Sequence, residues 1–346
     1  MPVAMSLSES IKIALKRGAL VTAANWEVVV IQFVADSAFK ALLTVPVLGA
    51  AFLLALIVGS SVPDVISSDL RSTVMLALAT LGEHRGALAA YLAGVTIVIV
   101  GGSMLMFLVK SGSVAVLVAA ERQAPAVEQP PLRSEVVREG SRFSLEVFSD
   151  GCTTFGRRFV RLGLILTAAY AVSVALYLAL IVVSYRWTNA AGVAWLGTVL
   201  AAFGSLILVA WITVLNLLYL LAQLITVAAN TSVARAMAAV PRFIVRKRRL
   251  VGGIFLVVVA LVMLATAASV LATAAFGFIG FVPVVGLAML PLQLVAWLCR
   301  GLLFEYLGLA ALGAYARVLR GTAGALGTDG APATSLHRTP MMGQMT

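Results

Sequence analysis

Charge is what this sequence has least of. Only 11% of its 346 residues are charged and 62% are hydrophobic, with a mean hydropathy of +1.06. A soluble domain carries roughly 25% charged residues, so this balance excludes a soluble fold. Histidine and cysteine are almost missing as well. His84, His337, Cys152 and Cys299 stand far apart in the chain, and two distant pairs do not build a metal centre. Both cysteines fall on the side read below as cytoplasmic, where reducing conditions exclude a structural disulfide. No Gly-x-Ser-x-Gly elbow, phosphate-cradling Gly-rich loop, dinucleotide fingerprint or HExxH motif occurs, so the common routes to hydrolysis, nucleotide use and redox chemistry lack their residues. The expectation is a non-enzyme with no cofactor and no metal.

What the sequence has is long apolar runs. They lie at about 41–62, 87–109, 162–183, 190–215, 250–277 and 283–305, each near or above the roughly 18–20 residues that cross a hydrocarbon core. They predict an all-α, polytopic membrane helix bundle with six transmembrane helices. Met1 to Arg17 carries charge but no short apolar stretch ending in a small-residue cleavage site, so it is expected to be retained.

The 25 basic residues sort unevenly on this map, 22 against 3. Only Arg71, Arg85 and Arg186 fall on the poor side. Short loops rich in Lys and Arg stay in the cytoplasm, so both termini are expected inside and three short connections outside. The excess of Arg over Lys, together with abundant Ala, Val and Gly, fits GC-rich bacterial coding and hence a bacterial inner membrane.

Ahead of the odd-numbered spans lie three amphipathic segments, each read as a helix on the inner membrane surface. In the first, Ser6-Leu7-Ser8-Glu9 is a capping-box pattern. Leu7, Ile11, Ala14, Leu15 and Gly18 then recur at helical spacing, with Lys12, Lys16 and Arg17 assigned to the polar side. The second, Arg133 to Arg161, mixes Arg157, Arg158 and Arg161 with several acids. In the third, Val233, Met237, Val240 and Ile244 form one stripe. Arg235, Arg242, Arg246, Lys247, Arg248 and Arg249 are its cations, with no acid among them, and Pro241 kinks or starts the helix. Anionic lipid headgroups are the partner expected of Lys12, Lys16, Arg17, Arg157, Arg158, Arg242 and Arg246 to Arg249. The net charge of +11 thus points to the bilayer surface rather than to nucleic acid.

The plan is threefold, one interfacial helix and two spans per unit, over about 6–122, 133–228 and 229–322. Together these make a single membrane domain, 1–322, followed by a disordered cytoplasmic tail, 323–346. With Ser6 to Trp26, Gly151 to Arg161 and Thr231 to Arg249 at the helix entries, this layout resembles a broad set of bacterial six-span membrane proteins. Their plan is similar to the membrane domain associated with glycerophosphodiester phosphodiesterases. The resemblance covers the chain by architecture, without the phosphodiesterase catalytic domain, and implies a membrane-embedded, non-catalytic role.

An ionisable group in a span costs roughly 2.5–3.5 kcal/mol at the bilayer centre, so each one needs a reason. Lys40, Lys110, Asn216 and Arg300 lie roughly one bilayer thickness from the outer ends of their spans. They are expected to ring the inner interface, where long side chains snorkel to headgroups. Asp36 and Glu305 are their acidic neighbours. The alternative is that Asp36, Lys40, Lys110, Asn216, Arg300 and Glu305 converge on an inward-facing polar cavity for a solute or lipid headgroup. Gln223 is a further polar residue in or near a span, and Gln293, well inside one, is read as bonding a neighbouring helix. Asp64, Asp69, Glu83 and His84 share the first outer loop, read as solvated. The role expected is structural, lipid-interacting or complex-forming, with a possible membrane-protein partner; the alternative is a small-solute or lipid transporter.

Overall fold

The computed structural model describes residues 6–58, 85–125, 127–128, 135, 143–190, 192–280 and 283–321. Among them lie eight helices and no strand: α1 Leu7–Ala24, α2 Trp26–Val58, α3 Arg85–Gln123, α4 Leu145–Ala190, α5 Ala194–Ala228, α6 Val233–Arg246, α7 Arg248–Gly280 and α8 Pro283–Arg320. Six of them, α2 to α5, α7 and α8, are long and apolar enough to cross a bilayer. The chain is a multi-pass membrane protein. The expected acidic outer loop, with Asp64, Asp69, Glu83 and His84, and the expected tail, 323–346, lie outside the described residues.

Local sequence explains where the helices begin. The expected capping box forms: Ser6 Oγ accepts from Glu9 N at 3.2 Å, while Ser6 N donates to Glu9 Oε2 at 3.3 Å. Ser144 Oγ accepts from Val147 N at 3.1 Å and starts α4. Pro283 opens α8, where its missing N–H costs nothing. Between α5 and α6 the chain turns at Asn230 with φ 46°, a left-handed conformation that Asn tolerates better than most residues.

Each spanning helix has 33 to 46 residues, against the roughly 20 that cross the hydrocarbon. The excess gathers at one end, where the buried core lies. Val114, Leu117 and Ala120 of α3, Leu221 and Leu224 of α5, and Leu312 and Tyr315 of α8 meet Val21 of α1, Val28 of α2, Phe243 of α6 and Ile254 of α7. Because α6 and the start of α7 carry the cationic run Arg242 to Arg249, this is the basic end of the bundle. Further along the spans, Ile97, Leu176, Leu206 and Leu264 stay exposed, as lipid-facing side chains do. Apolar continuation through Ala120, Ala228 and Leu319 is thus covered by helix packing, with Val21, Val28, Val29 and Phe33 among the covering residues.

Three expectations are corrected. The first spanning helix begins at Trp26, well ahead of the apolar run expected at 41–62, which the same helix carries on through Val58; residues 59–62 lie outside the described residues. The Asp36–Lys40 pair is satisfied on one helix face and does not interrupt it. The second interfacial segment is no separate helix: from Leu145 it continues unbroken through Arg161 into the span, because no proline or capping residue stops it there. Residues 133–134 and 136–142 of that segment lie outside the described residues. Pro241 sits inside α6 and does not start it.

Helix α1 is a core element rather than a flat float. It crosses α8 so closely that a Cβ added to Gly18 would stand 2.5 Å from Ala314 N, and one added to Gly313 only 3.1 Å from Gly18 Cα. The α3–α4 pair closes in the same way, a Cβ on Gly151 falling 2.6 Å from Ala115 Cβ. Small residues at such crossings let backbones approach. Gly18→Val is therefore expected to cost about 3 kcal/mol, the upper end for forced overpacking. Gly94→Ala, with nothing within 4 Å of the new Cβ, is expected to be neutral or slightly stabilising. Thermal midpoints of the two variants in mild detergent check the contrast.

Candidate functional site: the charged groups of the basic end

The best-defined polar arrangement in the molecule is a buried ion-pair knot. Arg17 is 2% exposed and Glu121 1%. Nε of Arg17 donates to both oxygens of Glu121 at 2.8 Å, and Nη1 donates to Glu128 Oε2 at 2.7 Å and Pro125 O at 2.8 Å. Nη2 donates to Ala124 O at 3.0 Å and Glu121 O at 3.3 Å. All five donors of the guanidinium are thereby taken. Arg317 Nη2 reaches Glu128 Oε1 at 3.4 Å, Arg320 Nη1 donates to Glu121 O at 2.8 Å, and Lys16 Nζ donates to Glu128 O at 2.8 Å. The knot joins α1, the end of α3, the segment after it, and α8.

Burial opposes the charge on Arg17, but the carboxylates of Glu128 and Glu121 outweigh it and leave the guanidinium harder to deprotonate than usual. Burial also opposes the charge on Glu128. The hydrogen bond from Arg17 and the nearby Arg317 win there, holding its carboxyl below the ordinary range.

This arrangement removes Arg17 from the expected headgroup contacts, since its donors all point into protein. The sequence did carry a signal. Ala14, Arg17, Gly18 and Val21 stand at i, i+3, i+4 and i+7, so Arg17 shares the buried stripe. Glu121 likewise ends the stripe Val114, Leu117, Val118 on α3. Lys16 is half-buried by its bond to Glu128. The other expected contacts remain on the surface: Lys12, Arg157, Arg242, Arg246, Lys247, Arg248 and Arg249 are exposed. Arg158 is half-buried, its Nη1 donating to Asn230 Oδ1 at 2.7 Å and Thr231 O at 3.2 Å, which ties α4 to the α5–α6 turn.

Of the six residues expected to share a cavity, the structure brings together four. Lys110 faces Glu305 and Asp36, and its ammonium stands 5.9 Å over the ring of Tyr219. Lys40 pairs with Asp36 one turn away and also faces Glu305, beside which Gln32 lies. The side chains of Gln32 and Gln223 are buried, and Gln32 Oε1 has no hydrogen-bond partner among the described residues. Asn216 does not join the cluster, because its Oδ1 accepts from the Tyr170 hydroxyl at 2.5 Å across α4 and α5. Arg300 does not join it either: it turns into a groove between α7 and α8 that Gln293 also lines. Among the described residues no group of His, Cys, Asp and Glu is disposed to hold a metal.

Two outcomes are expected of the knot. Arg17→Met leaves two buried carboxylates without their main partner and is expected to cost about 3–5 kcal/mol. Glu128 has a lower pKa folded than unfolded, so its stabilisation is complete above the ordinary carboxylate range and is lost as pH falls through the depressed folded value. Burial raises the carboxyl of Glu121, which acts with the opposite sign, so the expected outcome is a difference: as pH drops below about 4.3 the thermal midpoint of the wild type falls relative to that of Glu128→Gln. Melting curves from pH 7 to pH 3 measure it.

Against known proteins, no family model, no curated protein and no solved structure matches the chain.

Proposed function

We propose that this is a non-catalytic integral protein of a bacterial inner membrane, its basic end in the cytoplasm, whose task is to engage anionic lipid while serving a structural or complex-forming role. The observation that carries the reading is the placement of cations. Helix α6 and the start of α7 present Arg235, Arg242, Lys247, Arg248 and Arg249 at the surface. None of these five forms an ion pair with a carboxylate among the described residues. The opposite face of α6 is seated in the core through Ala236, Val240 and Phe243. A rigidly seated helix with an uncompensated basic face suits a surface of lipid phosphates, worth about 1 kcal/mol per basic residue near the bilayer. The skewed distribution of basic residues along the whole chain favours the same side for both termini.

A second reading, transport of a small solute or lipid, draws support from the meeting of Asp36, Lys110 and Glu305 beside the buried amides Gln32 and Gln223. Helices broken near the midplane would have strengthened it. Pro46 and Pro291 instead lie inside continuous helices, and Pro283 merely begins one.

Thermal stability in nanodiscs of phosphatidylglycerol and of phosphatidylcholine tests the lipid reading. The wild type is expected to be more stable in the anionic discs. Changing Arg246, Lys247, Arg248 and Arg249 to Gln is expected to erase that difference. An equal preference for anionic lipid in the quadruple variant would sink the reading.

A further inference from the structure

We infer that the groove between α7 and α8 holds one anionic phospholipid of the inner leaflet, its phosphate on Arg300 and one acyl chain along α7. The inference rests on the lipid-engaging reading above and places a specific site within it.

The groove encloses about 570 Å3. One wall is a row of small side chains on α7, Ala265, Ala268 and Ala272, recurring at helical spacing; the other is α8, with Gln293, Trp297 and Arg300. Small residues on one wall leave room that a second helix or a lipid chain must fill, since an apolar void forfeits its dispersion contacts. The charge at its end selects between these. Arg300 is exposed to the groove, its guanidinium 5.9 Å from the Phe304 ring. Among the described residues it belongs to no ion pair. A cation at this depth needs an anion or the headgroup layer.

Depth identifies the anion. Arg300 follows Pro283, the first residue of α8, by about 26 Å of helix, close to the roughly 30 Å of the hydrocarbon core, which puts its guanidinium at the inner interface. From that level the groove runs outward along α7 from Ala265 to Gly277, about 18 Å at the rise of a helix. One leaflet of hydrocarbon is roughly 15 Å. A fixed cation at headgroup level joined to an apolar channel one leaflet long matches a phospholipid in both charge and length. Phosphate alone would use only one end of the channel.

Titration of phosphatidylglycerol into the detergent-purified full chain, read by native mass spectrometry, tests this. The expected result is one tightly held lipid in the wild type, roughly tenfold weaker binding or more in Arg300→Gln, and partial recovery in Arg300→Lys. Ala268→Phe, which fills the channel but keeps the charge, is expected to weaken binding comparably. Inorganic phosphate at the same concentration is expected not to displace the lipid, and displacement would show that the anion alone is recognised and overturn the acyl-chain half. Unchanged binding in both Arg300→Gln and Ala268→Phe overturns the site. So does a change of oligomeric state in either variant with lipid occupancy unaltered, which would make the groove a seat for a helix of another subunit. The quadruple Gln variant of residues 246–249 in the same titration separates the levels: if it alone alters the anionic preference, the lipid reading stands and the groove fails.

Discussion

A guanidinium withdrawn from water has to be answered donor by donor, and that requirement fixes the basic end of this bundle. Arg17 can be buried only because Glu121, Glu128 and three backbone carbonyls at and just after the end of α3 meet its five N–H groups. Satisfying it brings α1 against α3, and the same carboxylates draw Arg317 and Arg320 from the end of α8. The Gly18–Gly313 crossing follows, since α1 can reach those groups only by lying almost backbone to backbone on α8. A polar knot of this kind adds less net stability than its contact list implies, because desolvation offsets most of the attraction. Its effect is on register: a one-turn slip of α1 along α8 would leave buried charges unanswered.

The position of the core follows from the two solvents the chain meets. Between helices in lipid there is little hydrophobic driving force, and close approach of small residues with occasional hydrogen bonds does the work. The Trp211 Nε1 donation to Ser173 Oγ at 3.0 Å is of that type. Where the helices emerge into water, burial of apolar surface becomes favourable again. Tyr315, Phe159, Phe243 and Leu117 are almost wholly buried there. The extra length of the helices is what gives the protein a conventional packed core at one end.

Much of this was legible in the sequence, and the parts that were not share a physical origin. Run length identified six apolar helices and the all-α class, and the capping pattern at Ser6 placed the start of α1. Boundaries failed where polarity was taken as a stop signal. Asp36 and Lys40 answer each other on one face of α2, and Arg157, Arg158 and Arg161 ride on the outside of an uninterrupted α4, so charge did not end either helix. The knot itself was missed because the carboxylates that answer Arg17 lie more than a hundred residues away in the chain. Periodicity could have found it, since Arg17 and Glu121 each occupy a position on a buried stripe. The inner polar ring was half legible: depth along the spans singled out Lys110 and Arg300, but only helix rotation decides that Lys110 turns toward Glu305 and Arg300 toward α7.

The central claim is that one buried ion-pair knot sets the register of α1 against the bundle. A double-mutant cycle with Arg17→Met and Glu121→Leu, read by unfolding of the detergent-solubilised protein, tests it most directly. The account predicts strong coupling, with each single change costly and the pair of changes less so than their sum by about 2 kcal/mol or more. Costs that add to within about 0.5 kcal/mol would contradict it and leave the knot a bystander of a register set by apolar packing alone.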